Sequence, residues 1–431
     1  MARDQRPHVA IIVVNLPVER DRRVIRECLA LESAGYRVTA ICPRGPQALT
    51  RLPGTRDTAI RSFRQPFAGS GVLSFAGEFA WSFLCVTLHL LRLLVTDRVD
   101  AAQACNPPDV FWPLALLMRL MGKPFVFDHH DLSPELYRAK TDTPNPVVLR
   151  ILTVFEQLSM RCASWVLSTN ESYREIAIGR GGQDPARVTV VRNGPASSEI
   201  THAAAPEAGG RKRIVYLGVI NPQDNVRAAV LAASRLAEMR GRDDWEMVIA
   251  GDGDSLPELR SLATDLGLDD VVYFAGWLGG DEVDALLASG TIGIQPDQPD
   301  PLSHVSTMAK TVEYVARGLP VVAVDLLETR RTAEGAAVYT PSALPEEFAK
   351  ALDALLDDPE GRARMREIGL QRFHSRLAWE HQAAAYLSVW SQLVPMPAVA
   401  EIPRPREAEW FPFGDDHGTD HSAGTDRAAR G

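Results

Sequence analysis

The sequence predicts an α/β protein of two Rossmann-like domains, and three features predict it. The order strand, loop, helix, glycine, strand runs from Val9 to Pro43 and starts afresh at Ile214; that order is one right-handed βαβ unit. A small, polar, aperiodic run at residues 196–211, ASSEITHAAAPEAGGR, separates the halves as a linker would. The stretch Thr291–Asp325 condenses the same unit into strand, polar loop, short helix, glycine stop and strand. The expected organisation is an N-terminal domain at 1–195, the linker at 196–211, a C-terminal domain at 212–378, a helix at 379–394, and a tail at 395–431.

In chain order, HVAIIVV is the first strand, NLPVERDRR its loop, VIRECLALESAG a helix stopped at Gly35, and RVTAICP the second strand. Arg22 and Arg23 stand at the helix start, where the plain reading is a solvated charge cluster. Residues 44–70 are rich in Pro, Gly and Arg and carry no pattern. Val72–Val95 is a long apolar helix containing Glu78, His89 and Arg92. A spanning helix would have to hide these charges at a cost of several kcal/mol in total, so a buried or interfacial helix fits better. A turn at Asn106-Pro107-Pro108 and a helix precede the strand KPFVFD, which ends in HHDLSPELYRAK. Ligands bind at the C-terminal ends of strands in open α/β sheets. His129, His130, Asp131 and Glu135 at such an end suit hydrogen bonding to hydroxyls, orientation or proton transfer; the plainer alternative is a polar turn capping a helix. A metal site is a weaker reading, because adjacent residues on a strand end point in opposite directions. The helix VLRILTVFEQLSMRCA, the strand SWVLSTN, a helix beginning at Asn170-Glu171-Ser172 and the strand RVTVVRNGP complete this half.

The second half opens with IVYLGVI, NPQDN, a helix and EMVIAGDG. Its G-x-G is weak evidence of nucleotide binding alone and equally suits a tight strand-to-helix turn. VVYFAGW and VDALLASG follow as strand and helix. In the condensed stretch, Ile292 and Ile294 form a strand and Gln295–Val305 a loop. Ser306 or Thr307 is the expected N-cap, Met308, Val312 and Val315 share one helical face, Gly318 is the left-handed stop, and VVAV is a strand buried on both faces. Lys310 and Glu313 lie one turn apart. The helix N-terminus offers unpaired N–H groups to a phosphate; the alternative is an ordinary surface charge pair. Arg330 and Arg331 follow the next strand. Two surface helices, the amphipathic LAWEHQAAAYLSVWSQLV and a tail without periodicity, read as disordered, end the chain.

Composition bounds the function. The 431 residues are 45% hydrophobic and 23% charged, ordinary for a globular enzyme. A net charge of -9 argues against nucleic acid as a partner. Cys28, Cys42, Cys85, Cys105 and Cys162 are scattered and form no C-x-x-C, so neither a disulfide frame nor a zinc site is indicated and a reducing, cytosolic setting is expected. The first apolar run is too short for a signal-peptide core.

Glu313, Tyr314, Ala316, Gly318, Pro320, Val321 and Val322 match E-Y-x-A-x-G-x-P-V-V, which resembles the donor-binding signature of glycosyltransferase family 4, in the GT-B superfamily. His130, Asp131, Leu132, Pro134 and Glu135 resemble its H-D-L-x-P-E element, and Asn193-Gly194 its domain-ending N-G. The resemblance covers roughly residues 8–394. It implies a GT-B fold, two Rossmann-like domains facing across a cleft with the helix at 379–394 returning to the first domain, and it puts Glu313 on the ribose of a sugar nucleotide and Ser306, Thr307 and Met308 at its pyrophosphate and sugar. It implies that His130 is a cleft histidine and that Arg23 faces the cleft on the acceptor side with Asp131 and Glu135. Gly218, Gln223 and Gly253 fall in the donor-side loops. Three positions depart from the family pattern: Val305 replaces the first Glu, and Val219 and Asp224 replace the usual Arg and Lys of the pyrophosphate site. Lys310 and Arg330 are the cations expected to compensate, Lys310 with a catalytic role beside His130.

The resemblance therefore implies retaining transfer of a sugar from a nucleotide-sugar donor to an acceptor hydroxyl, in cell-surface polysaccharide, glycolipid or other glycoconjugate synthesis. It implies no metal and no other cofactor. The acceptor is a saccharide, a lipid-linked glycan or a small molecule; nucleic acid is not a partner. The expected location is the cytoplasm, with at most a peripheral hold on the inner face of the membrane. The alternatives are a GT-B sugar-nucleotide epimerase and a non-catalytic nucleotide-sugar-binding subunit. A phosphorylase would need a pyridoxal lysine, for which there is no signal.

Overall fold

The computed structural model describes residues 5–66, 72–141, 143–200 and 210–396. The tail read at 395–431 and the middle of the linker lie almost wholly outside these. Two parallel sheets form, one in each half, and each takes its strands from a continuous part of the chain.

The N-terminal sheet contains β1 (His8–Ile12), β2 (Arg37–Pro43), β3 (Ala59–Phe63), β4 (Ala101–Cys105), β5 (Phe125–His129), β6 (Trp165–Ser168) and β7 (Val188–Val190), in the order β3-β2-β1-β4-β5-β6-β7. The reversal between β1 and β4 is a switch point of the kind that opens a ligand crevice at the strand ends. The helices are α1 (Arg22–Ser33), α2 (Val72–Thr96), α3 (Trp112–Leu120), α4 (Ser133–Ala139), α5 (Pro146–Cys162) and α6 (Glu171–Gly179). The second sheet, β8 (Lys212–Leu217), β9 (Trp245–Ala250), β10 (Val272–Gly276), β11 (Ile292–Gln295), β12 (Val321–Val324) and β13 (Ala337–Thr340), runs β10-β9-β8-β11-β12-β13. Its helices are α7 (Val226–Arg240), α8 (Leu256–Asp265), α9 (Gly280–Ala288), α10 (Pro301–Val305), α11 (Ala309–Ala316), α12 (Leu327–Ala333), α13 (Pro345–Leu356) and α14 (Pro359–Arg372). The last helix, α15 (Trp379–Leu393), buries Tyr386, Val389 and Trp390 in the core beneath α1 of the N-terminal domain. The chain thus crosses back and ties the two domains together.

Two local readings need correction. The loop at Gln295–Val305 contains the short helix α10, because Asp300 caps it: Oδ1 accepts from the N–H groups of Leu302 at 2.8 Å and Ser303 at 3.1 Å. Neither Ser306 nor Thr307 caps α11, whose N-cap is Met308 with no side-chain hydrogen bond. Both hydroxyls are engaged by the other domain instead. Gly318 does end α11 in the left-handed region, at φ +68°, where a side chain would be strained.

Candidate active site

On the N-terminal side the site grows from the ends of β4 and β5. Asp128 is fully buried. Its carboxylate accepts from Arg23 at both oxygens, at 2.7 and 3.1 Å, from Gln103 at 3.2 Å, and meets the His130 Nε2 at 2.6 Å. Burial opposes its ionisation, but Arg23 and then His130 outweigh that and hold the carboxyl well below the usual range. Neighbouring Glu27 shows the opposite: burial and the Asp128 charge push it well up. Gln103 is fixed in turn by Tyr386 of α15, whose hydroxyl donates to Gln103 Oε1 at 2.8 Å. Asn106 pins the turn itself, its Oδ1 accepting from the N–H of His130 at 2.6 Å and of Asp131 at 3.1 Å.

The expected cleft-facing role for Arg23 does not hold. Its side chain is 5% exposed, and besides Asp128 it donates to the Val191 carbonyl at 2.7 Å and Asn193 Oδ1 at 2.9 Å. A guanidinium with all these partners holds β5 to the N-G turn and does not reach an acceptor. Glu135 is likewise committed, to Arg180, which also bonds Glu156. Asp131 donates its backbone N–H to Asn106 and its carbonyl accepts from Asn106 Nδ2 at 2.7 Å. His129 is buried against Phe127 and Tyr173, with Glu156 at 3.5 Å.

On the C-terminal side three loops converge at the ends of β8, β9 and β11. A Cβ at Gly251 would lie 1.8 Å from the Gly218 carbonyl oxygen, and one at Gly253 would lie 2.5 Å from the Ile220 carbonyl oxygen. Only glycine lets these two loops touch. Asn225 Nδ2 donates to the Pro296 carbonyl at 2.8 Å and joins the third. Gln223 is exposed in the first loop.

Lys310 is corrected. Its ammonium is buried and bonded to both oxygens of Asp297, at 2.9 and 3.1 Å, with Asp224 Oδ1 at 3.9 Å and the Tyr216 ring 5.2 Å away. A buried ammonium requires such a counter-charge, so it offers no net positive charge to a diphosphate. Burial raises Asp224, and Lys310 offsets part of that. Arg330 is 53% exposed, paired with Asp325 and stacked on Tyr339 at 4.3 Å. Glu313 pairs not with Lys310 but with Arg317, one turn on, through Oε2; Oε1 has no partner among the described residues.

The two sides meet. Asn170 Nδ2 donates to the Val305 carbonyl at 3.0 Å and to Thr307 Oγ1 at 3.2 Å. The Tyr173 hydroxyl bonds Ser306 Oγ at 3.2 Å while its ring packs 5.2 Å from His129. Buried Glu328 of α12 accepts from Ser172 N–H at 3.1 Å and Oγ at 2.7 Å. Sequence reasoning missed Asp128, Asn106, Gln103, Tyr173 and Glu328. For Asp128 the signal was present, a carboxylate near the end of a strand two residues before His130.

Among the described residues one His/Cys/Asp/Glu cluster has metal-like spacing, Cys105, Asp128 and His130, with ligand atoms within 4.8 Å of one another. It does not suit a dication, because both Asp128 oxygens already carry the Arg23 guanidinium.

A model described as glycosyl transferases group 1 matches residues 211–358, and one described as glycosyl transferase 4-like domain matches residues 21–194. The alpha-D-kanosaminyltransferase of Streptomyces kanamyceticus is 29% identical over 289 residues, which is 64% of this chain and 72% of that protein. A sucrose-phosphate synthase from Thermosynechococcus elongatus superposes with a TM-score of 0.72 at 14% identity, covering 90% of this chain and 99% of that one. HepE of Anabaena in complex with UDP-glucose superposes with a TM-score of 0.66 at 15% identity, over 90% of this chain and 100% of the other. At such identities the structures share the fold.

Proposed function

The chain belongs to the glycosyl transferases group 1 family and is a glycosyltransferase of GT-B fold, and from that premise we propose that it moves a sugar from a nucleotide-sugar donor to an acceptor hydroxyl with retention of configuration. The product belongs to cell-surface polysaccharide, glycolipid or other glycoconjugate synthesis. The observation that carries the reading is the bridge through Tyr173, which touches His129 with its ring and Ser306 with its hydroxyl. It couples the histidine turn of one domain to the entry of α11 in the other, where the resemblance puts the donor.

Glu313 Oε1 accepts from the ribose hydroxyls, and the Gly218, Gly253 and Ser306–Met308 backbone lines the diphosphate. Transfer breaks the anomeric carbon–oxygen bond to the diphosphate and forms one to the acceptor oxygen, whose proton leaves on the departing phosphate. Preorganised N–H groups at the α11 start stabilise the charge that develops there. His130, held by Asp128, orients the reacting sugar. A general-base role, which would invert the centre, is less well supported: Arg23 already neutralises the carboxylate that would have to stabilise an imidazolium. No metal is needed in this scheme, so a chelator is expected to leave turnover unchanged. The protein works in the cytoplasm, with at most a peripheral hold on the inner face of the membrane.

HepE was solved with UDP-glucose, which makes uridine donors the first to try. A thermal-shift panel of UDP, GDP, CMP and dTDP sugars tests donor binding, since a ligand that binds the folded state raises its midpoint. One nucleotide series should stabilise the chain; no shift with any of them would remove the donor reading.

A further inference from the structure

We propose that the outer face formed by α2, α3 and α5 docks on an anionic lipid bilayer. The face is continuous by topology. The right-handed crossovers from β3 to β4, β5 and β6 set these helices side by side on one side of the sheet. Phe83 of α2 stacks on Phe111 ahead of α3 at 6.2 Å.

Each helix is apolar on the outside as well as the inside. Val86, Leu90 and Leu93 of α2 are buried in the core, yet Trp81, Leu84, Leu88, Leu91 and Val95 are exposed, Leu88 by 59% and Val95 by 83%. Their spacing of three and four residues makes one stripe. The stretch Gly77–Thr96 has a mean hydropathy of 1.7 and is only 22% buried. On α3, Leu120 is 86% exposed, and on α5 Val147, Ile151 and Val154 point outward. Apolar patches this wide mark an interaction surface.

Charge selects the occupant. The chain carries -9 overall, yet these three helices hold four exposed arginines, Arg92, Arg119, Arg150 and Arg161, against Glu78 and the buried Glu156. An anionic surface matches apolar residues interleaved with arginine, whereas two copies of one basic face would repel. The C-terminal tail leaves from the other side of the sheet, where the Val394 carbonyl accepts from Tyr36 at 2.8 Å beside α1. The helix does not span, because its inner side is part of the domain core.

This deepens the peripheral placement proposed above, and its test needs no turnover. The full chain is sedimented with vesicles of phosphatidylglycerol and phosphatidylcholine, and with phosphatidylcholine alone. Binding should favour the anionic vesicles and fall with salt. Leu84→Gln with Leu88→Gln should weaken it at least about tenfold, and Arg92→Gln or Arg119→Gln about fivefold each. All are surface changes, so unchanged melting and an unchanged donor-induced shift certify the fold. Equal binding to both vesicles, loss of none in the leucine variant, no vesicle binding by the full chain, or a dimer that the leucine variant disperses would each overturn the proposal.

Discussion

Asp128 draws Arg23, Gln103 and His130 onto one buried carboxylate, and this fixes what each can do. Arg23 spends its charge inside the domain. Its loss would strand a buried carboxylate at a cost of about 3–5 kcal/mol, so an Arg23 variant reports on folding before it reports on acceptors. The same logic governs Lys310. We expect Lys310→Ala to lose about 3–5 kcal/mol in urea unfolding, because Asp297 is left buried and unpaired. Lys310→Met combined with Asp297→Asn should regain most of that and keep turnover within about tenfold; a loss of about a hundredfold, the size expected for one preorganised donor, would return Lys310 to the leaving group. Glu313 differs in being partly exposed with one oxygen unengaged. Glu313→Gln should weaken donor binding by roughly 1.5–3 kcal/mol, the worth of a charge-assisted hydrogen bond, with little change in melting; calorimetry giving an unaltered donor affinity would take it out of the site. Asp109, beneath the histidine turn, is pushed up to about 6 from 3.8 by burial. Its folded pKa lies above the unfolded one, so the folded chain keeps a proton that the unfolded chain sheds. Stability from this site therefore falls as pH rises from about 4 to about 6 and is flat beyond. Asp109→Asn should flatten that segment and gain at most about 3 kcal/mol near pH 8; parallel pH profiles for parent and variant would contradict it.

At the scale of elements, the strongly patterned pieces were legible. β1, β2, β5, β8 and β12 are runs of β-branched and aromatic residues, and the Gly318 stop and Asn170 cap are local chemistry. β4 reads AAQAC and β3 reads AIRSF; neither has the apolar pattern of a strand, and only their neighbours in the sheet make them strands. The start of α11 was misread because Ser306 and Thr307 bond across the cleft, and a contact between residues 133 or more apart leaves no trace in local sequence. The site was legible in the same uneven way: His130 and Glu313 carry motif signals, while Asp128's partners Arg23 and Gln103 come from α1 and β4, with Gln103 held in turn by Tyr386 of α15. Asn170 shows how one element serves two domains. Its Oδ1 caps α6 by accepting from Tyr173 N–H at 2.8 Å, and its Nδ2 holds the donor-side loop. Asn170→Asp keeps the cap and removes the clasp. We expect near-parental melting with kcat/KM for the donor reduced about tenfold or more, since small misplacements of bound groups carry rate costs of that order; parental kinetics would show that the clasp does not position the donor.

At the scale of the molecule, two parallel sheets present their strand ends to one cleft, and α15 returns to bury its aromatic residues in the first domain. Closure of such a cleft keeps water from the donor, and the contacts through Asn170, Tyr173 and Glu328 are where closure is held. Within this arrangement we propose that configuration is retained, with His130 held by Asp128 to orient the sugar rather than to act as a base. It is tested most directly by proton NMR of the product formed from an α-linked nucleotide sugar once the panel has identified the donor. The account predicts an α-linked product, with one nucleoside diphosphate released for each acceptor glycosylated; a β-linked product, or release that proceeds equally without acceptor, would contradict it.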